Sequence, residues 1–144
     1  MASTSAGSQM CVRWPAKNHA QKNEPSNPVY INMPKTLLSK DPTQKTFMSS
    51  TIAQLNYKNC NSTSSTDFTP CGGCFTVPKT LKTGTYVVQW RWMLNKDEWY
   101  TSCWDLAVTG TSTTTTTGTS TTTTAGTTTP LGSLTSVFAD LTED

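Results

Sequence analysis

Four of the five tryptophans fall between Gly84 and Val108, and that stretch limits what the chain can become. Tyr86, Val88, Trp90, Trp92 and Leu94 share one face at a period of two, and Thr85, Val87, Gln89, Arg91 and Met93 share the other. Alternation rich in aromatic and β-branched residues predicts a half-buried strand. Asn95 to Glu98 is a polar break of hairpin-loop length, and Trp99 to Val108 reads as the return strand. An isolated two-stranded ribbon cannot bury so many indoles, so the hairpin must be the centre of a larger sheet packing. Trp90 and Trp92 are expected in the core. Trp99 and Trp104 lie on opposite faces of the return strand. Unless both faces are covered, one of them is free to stack on a sugar ring or a protein neighbour.

The rest of the chain offers short strands and proline-rich loops. Cys11 to Pro15 is short and apolar and reads as the opening of the domain, and Val29 to Met33 reads as a short strand. Leu37-Leu38 reads as a turn of helix, and Thr51 to Tyr57 as either helix or strand. Residues 1–10 read as a flexible leader, 11–109 as the folded domain, 110–130 as a Thr-rich linker and 131–144 as a short apolar tail of helical or extended form. From Thr111 to Thr129 every residue is Thr, Ser, Gly or Ala. Such a tract carries no apolar surface to offset its ordering entropy. It reads as an O-glycosylated stalk, a plain linker, or an extended strand laid against a neighbouring subunit. Together these features predict an all-β, antiparallel β-sandwich of the immunoglobulin type.

Charged residues make up only 14% of the chain and the net charge is +2. Basic residues are scattered, which argues against nucleic acid as a partner, and no apolar run suits membrane insertion. Five cysteines in so short a chain, with abundant Ser and Thr, predict disulfides and an oxidising compartment. The location expected is extracellular, cell-surface or virion-surface, although the first ten residues are no secretory signal. Asn61-Ser62-Thr63 is an N-glycosylation sequon. Cys71-Gly-Gly-Cys74 fits a structural disulfide better than half a zinc site or a redox pair, because no second close pair and no thioredoxin-like setting accompany it. The disulfide candidates are Cys11, Cys60, Cys71, Cys74 and Cys103, of which one must be left over. His19 is the single histidine, expected as a solvated loop residue. Neither a catalytic carboxylate pair nor a phosphate loop stands out.

Leu81-Lys-Thr-Gly-Thr-Tyr86, its aromatic continuation to Trp92 and the returning Trp99-Tyr100-Thr-Ser-Cys103 resemble the C-terminal part of lytic polysaccharide monooxygenases and chitin-binding type-4 domains. Tyr57-Lys-Asn-Cys60 and Cys71-Gly-Gly-Cys74 before Val77-Pro78 are similar to pieces of some members. The resemblance implies copper-dependent oxidative cleavage of chitin or cellulose, with Tyr100 at the axial tyrosine position. It also implies that Cys103 ties the last strand to an earlier segment such as Cys11, with two of Cys60, Cys71 and Cys74 pairing locally. The family holds its copper with two histidines, one at the mature N-terminus, and one imidazole cannot form that brace. No metal, cofactor or catalytic residue is therefore expected.

The sequence thus predicts a non-catalytic structural or carbohydrate-associated surface module, with Trp99 and Trp104 as sugar-binding candidates. Its partners would be a glycan surface and, through the Thr-rich tract and tail, copies of itself or a structural protein. Two alternatives accompany this. One is a copper monooxygenase represented by an incomplete chain. The other is a filament or capsid assembly protein with no sugar affinity.

Overall fold

The computed structural model describes residues 1–17, 19–20, 27–61, 69–110, 135–138 and 142–143. The described chain is mostly strand, with a single short helix among those residues. In order the elements are β1 (Ala2–Ser5), β2 (Gln9–Pro15), β3 (Pro28–Asn32), α1 (Gln44–Met48), β4 (Thr51–Asn56), β5 (Pro70–Thr76), β6 (Gly84–Met93), β7 (Trp99–Thr109), β8 (Thr135–Phe138) and β9 (Thr142–Glu143). One sheet runs β1-β7-β6-β3-β4, with β9 also on β7; the other runs β5-β2-β8.

β6 and β7 form the expected hairpin, in unbroken antiparallel register from Gly84↔Val108 to Met93↔Trp99. Its turn is closed by Leu94 N–H donating to the Glu98 carbonyl at 3.1 Å and by Asn95 Nδ2 donating to Glu98 Oε2 at 2.6 Å. Asp97 takes the left-handed conformation there (φ 66°), which Asp tolerates better than most residues. The alternation holds: Tyr86, Val88, Trp90 and Trp92 are all buried. The hydroxyl of Tyr86 donates back to the Lys82 carbonyl at 2.9 Å, pinning the corner that leads into β6.

The two sheets share one core. Met10, Val12 and Trp14 of β2 and Phe75 of β5 join the inward residues of β3, β6 and β7. Thr51 to Asn56 is a strand rather than a helix, because it pairs in register along β3. Leu37-Leu38 is not helical. The helix instead begins after Thr43, whose hydroxyl caps the Thr46 N–H, and it buries Phe47. Residues expected as a flexible leader are strand: Ala2 to Ser5 pair in parallel with Leu106 to Thr109. The one threonine and two serines of β1 suit an edge strand with one covered face. The tail residues that are described, 135–138 and 142–143, are extended. The Thr-rich tract from Thr111 lies outside the described residues.

Two disulfides staple the fold, Cys11–Cys74 and Cys60–Cys71. Two cysteines of the Cys60, Cys71, Cys74 group pair locally. The Cys11–Cys103 bond does not form, for a reason of register. Cys11 and Cys74 oppose one another in the β2–β5 ladder, whereas Cys103 sits on the exposed outer face of β7 and belongs to neither bond. Gly72 lets β5 approach β2, since a Cβ there would stand 2.7 Å from the Val12 carbonyl oxygen.

The loops closed by the two bonds differ in length, with sequence separations of 63 and 11 residues. By loop-closure entropy, removing Cys11–Cys74 with paired alanines should cost about 4 kcal/mol, and removing Cys60–Cys71 about 3 kcal/mol. Urea unfolding of the two variants measures the order. Equal losses, or the reverse order, would contradict it.

Candidate functional sites

The outer face of the β3-β6-β7 sheet carries an aromatic groove. Tyr30 alternates with the buried Val29 and Ile31, so its ring points away from the core. Arg91 is its direct partner across the ladder. Trp99 lies one diagonal step further, on β7, and such a diagonal is within reach of long side chains. The Arg91 guanidinium carbon lies 3.8 Å from the centroid of the Trp99 ring, a cation–π contact that holds the indole face. Tyr30 and Trp99 rings stand 6.4 Å apart at 51°. With Asn32, Thr51 and the exposed Met48 they line an open groove of about 230 Å³.

The groove floor is fixed by hydrogen bonds. Thr51 Oγ1 donates to Asn32 Oδ1 at 2.7 Å, and Asn32 Nδ2 donates to Gln89 Oε1 at 3.0 Å. Gln89 Nε2 in turn donates to Gln44 Oε1 on α1 at 3.0 Å. The buried amide of Gln89 on an otherwise outward face is thereby satisfied. A groove of this size is smaller than an enclosed small-molecule site. It suits one ring laid against half-buried aromatic faces.

A second cluster lies where the end of β2 meets the hairpin. Tyr57 stacks on Trp92 with centroids 3.6 Å apart at 8°, and on Trp14 at 6.1 Å and 22°. Its hydroxyl donates to the Ala16 carbonyl at 2.8 Å, and its own carbonyl accepts from Trp14 Nε1 at 3.1 Å. Trp92 Nε1 donates to the Asn27 carbonyl at 2.9 Å. Outside this stack sit Tyr100, 5.8 Å from Trp92, and His19, whose Nε2 is 3.4 Å from the Tyr100 hydroxyl. His19 is thus half-buried against Trp92 and Tyr100. It is not the solvated loop residue expected, because the turn after β2 folds it back: its N–H donates to the Ala16 carbonyl.

For copper this cluster supplies one imidazole nitrogen and one phenol oxygen. Among the described residues no group of three His, Cys, Asp or Glu side chains is placed to hold a metal. That donor set does not fit a copper brace, which needs several nitrogens in fixed geometry.

Of the two sugar-binding candidates, Trp99 lies in the outer groove. Trp104 lies on the inward-facing side of β7 with Leu106 and Val108, half-buried against the core. Its indole nitrogen has no hydrogen-bond partner among the described residues. Asn61 is exposed beside Cys60, and the other two sequon residues lie outside the described residues. Tyr30, Arg91 and Tyr57 were not among the site residues expected from the sequence. Period-two alternation about Val29 and Ile31 already carried the signal for Tyr30; the cross-strand register that brings Arg91 and Trp99 to it did not show. No family model, curated protein or solved structure matches this chain.

Burial, and secondarily the neighbouring Tyr100, push the Tyr57 phenol well above the usual phenol range. The folded state therefore holds the Tyr57 proton more tightly than the unfolded chain. Its contribution is complete below the unfolded phenol value and declines as pH rises beyond about 10. Ultraviolet titration should show one tyrosine that ionises only as the protein unfolds in alkali, and the Tyr57→Phe variant should lack that late step. A Tyr57 that titrates with the exposed phenols would contradict the burial.

Proposed function

We propose that this chain is a non-catalytic β-sandwich module, immunoglobulin-like in its layering, that attaches to a glycan surface through the Tyr30–Trp99 groove. The placement of Trp99 beside Tyr30 and under Arg91 on an outer sheet face carries this reading. Aromatic faces take up the apolar C–H faces of pyranose rings without needing charge, and Arg91 and Thr51 offer polar groups for hydroxyls at the rim. Low net charge is compatible with a neutral polysaccharide. The layering is supported by two sheets sharing one core and by the Tyr86-to-Lys82 bond at the corner before β6, a device found in immunoglobulin-type sandwiches. Two disulfides favour an extracellular or surface setting. No helix among the described residues is long and apolar enough to cross a membrane.

Retention on insoluble chitin and cellulose tests the reading. The unaltered chain should bind at least one of them, and Trp99→Ala should weaken binding about tenfold or more, as for a central aromatic anchor. Trp104→Ala, if folded, should leave binding unchanged. Equal binding by Trp99→Ala and the parent, or no retention on either polysaccharide, would overturn it.

The contact between His19 and Tyr100 favours a second reading: a copper monooxygenase in which this sequence provides one imidazole and the axial phenol, with the remaining nitrogens supplied from outside it. Calorimetric titration with copper separates the two. The module predicts no specific uptake. Tight binding that His19→Ala abolishes would favour the enzyme.

A further inference from the structure

The edge of β2 is completed by the end of the chain. Met10 to Arg13 pair in parallel with Thr135 to Phe138 of β8, and Tyr100 and Thr101 of β7 pair with Glu143 and Thr142 of β9. The tail therefore clasps both sheets. Without β8 the smaller sheet is the two-stranded ribbon β2–β5. A ribbon of two strands is marginal, and its open edge invites another strand.

We propose that β8 and β9 form an exchangeable donor segment, and that the β2 and β7 edges of one copy accept this segment from a second copy. The main-chain ladder that seats β8 is the same whether the donor is the chain's own or a neighbour's. Residues 111–134, the 24 between the last described residue of the domain and β8, reach at most about 80 Å by covalent geometry. That exceeds the roughly 35 Å breadth of a domain of about 100 residues, so the tail can reach an adjacent molecule. Reciprocal exchange between two copies closes a dimer, and one-way exchange from copy to copy builds longer chains. Self-donation prevails in dilute solution, where the tether holds the tail at an effective concentration on the order of millimolar. Exchange gains as the protein concentration approaches that value. On β7 the acceptor residues Tyr100 and Thr101 adjoin Trp99 of the groove, whereas the β2 acceptor edge lies on the other sheet, so exchange there is read independently of sugar binding.

Register-directed cross-linking of the full chain tests it. Arg13 and Phe138 are register partners, so Arg13→Cys and Phe138→Cys are introduced on a Cys103→Ser background, both in one chain and in two separate chains. After mild oxidation, bonds are mapped by mass spectrometry. The doubly substituted chain should close on itself at micromolar concentration and form a ladder of dimers and larger species near millimolar. The two singly substituted chains, mixed near millimolar, should form the 13–138 bond between them. Adding Val137→Pro, a residue disfavoured in paired strands, to the Phe138→Cys chain should lower that yield about fivefold. The proposal fails if the mixed chains stay monomeric at every concentration, if they bond equally well with proline present, or if the doubly substituted chain forms no 13–138 bond.

Discussion

Tyr57 is the residue on which the two sheets meet. It follows β4 in the larger sheet, yet its hydroxyl reaches the Ala16 carbonyl just past β2 of the smaller sheet, and its carbonyl receives the Trp14 indole. Its ring fills the space between Trp92 and Trp14. A phenol in that position is satisfied at its polar end and desolvated along its faces. That combination gives a buried tyrosine its stabilising value and holds its proton. The Cys60–Cys71 bond anchors the chain three residues further on. Asn59 secures the same stretch by donating its side-chain amide to the Gly72 carbonyl and accepting the Gly72 N–H at its own carbonyl.

This inner stack leaves the outer face of the hairpin free for function. Trp90 and Trp92 occupy the interior, so the outward residues of the same strands, Arg91 and Trp99, are presented on a backbone whose position the core fixes. Groups mounted on paired strands hold their geometry better than groups on loops. The Asn32–Gln89–Gln44 relay then couples the groove floor to α1. The His19–Tyr100 contact has the same origin. Trp92 packs against both rings, and the turn after β2 is drawn in by the backbone bond from Ala16 N–H to the Thr69 carbonyl.

The hairpin was legible because its alternation is strong and both partners are adjacent in sequence, so turn and register follow from local pattern. Burial of Trp90 and Trp92 followed with it. What stayed hidden depends on pairing between distant strands. The choice of Cys74 over Cys103 as partner of Cys11 is set by the β2–β5 ladder. The meeting of Tyr30 with Arg91 and Trp99 is set by β3 joining β6. The strand at Ala2 to Ser5 was missed because its Ser and Thr carry no hydrophobic signal; only a parallel partner in β7 makes it a strand. Thr51 to Asn56 was ambiguous for a related reason: Ile52 and Leu55 stand at helical spacing in an otherwise strand-like stretch, and only the pairing with β3 makes it a strand.

If Tyr57 couples the sheets, its interaction with Trp14 must be cooperative across them. A double-mutant cycle by urea unfolding, with Trp14→Leu, Tyr57→Leu and both together, measures that term. A coupling of about 1 kcal/mol or more is expected, as for a buried aromatic pair. Additivity within about 0.3 kcal/mol would mean the two residues act independently, and Tyr57 would then not be what joins the layers.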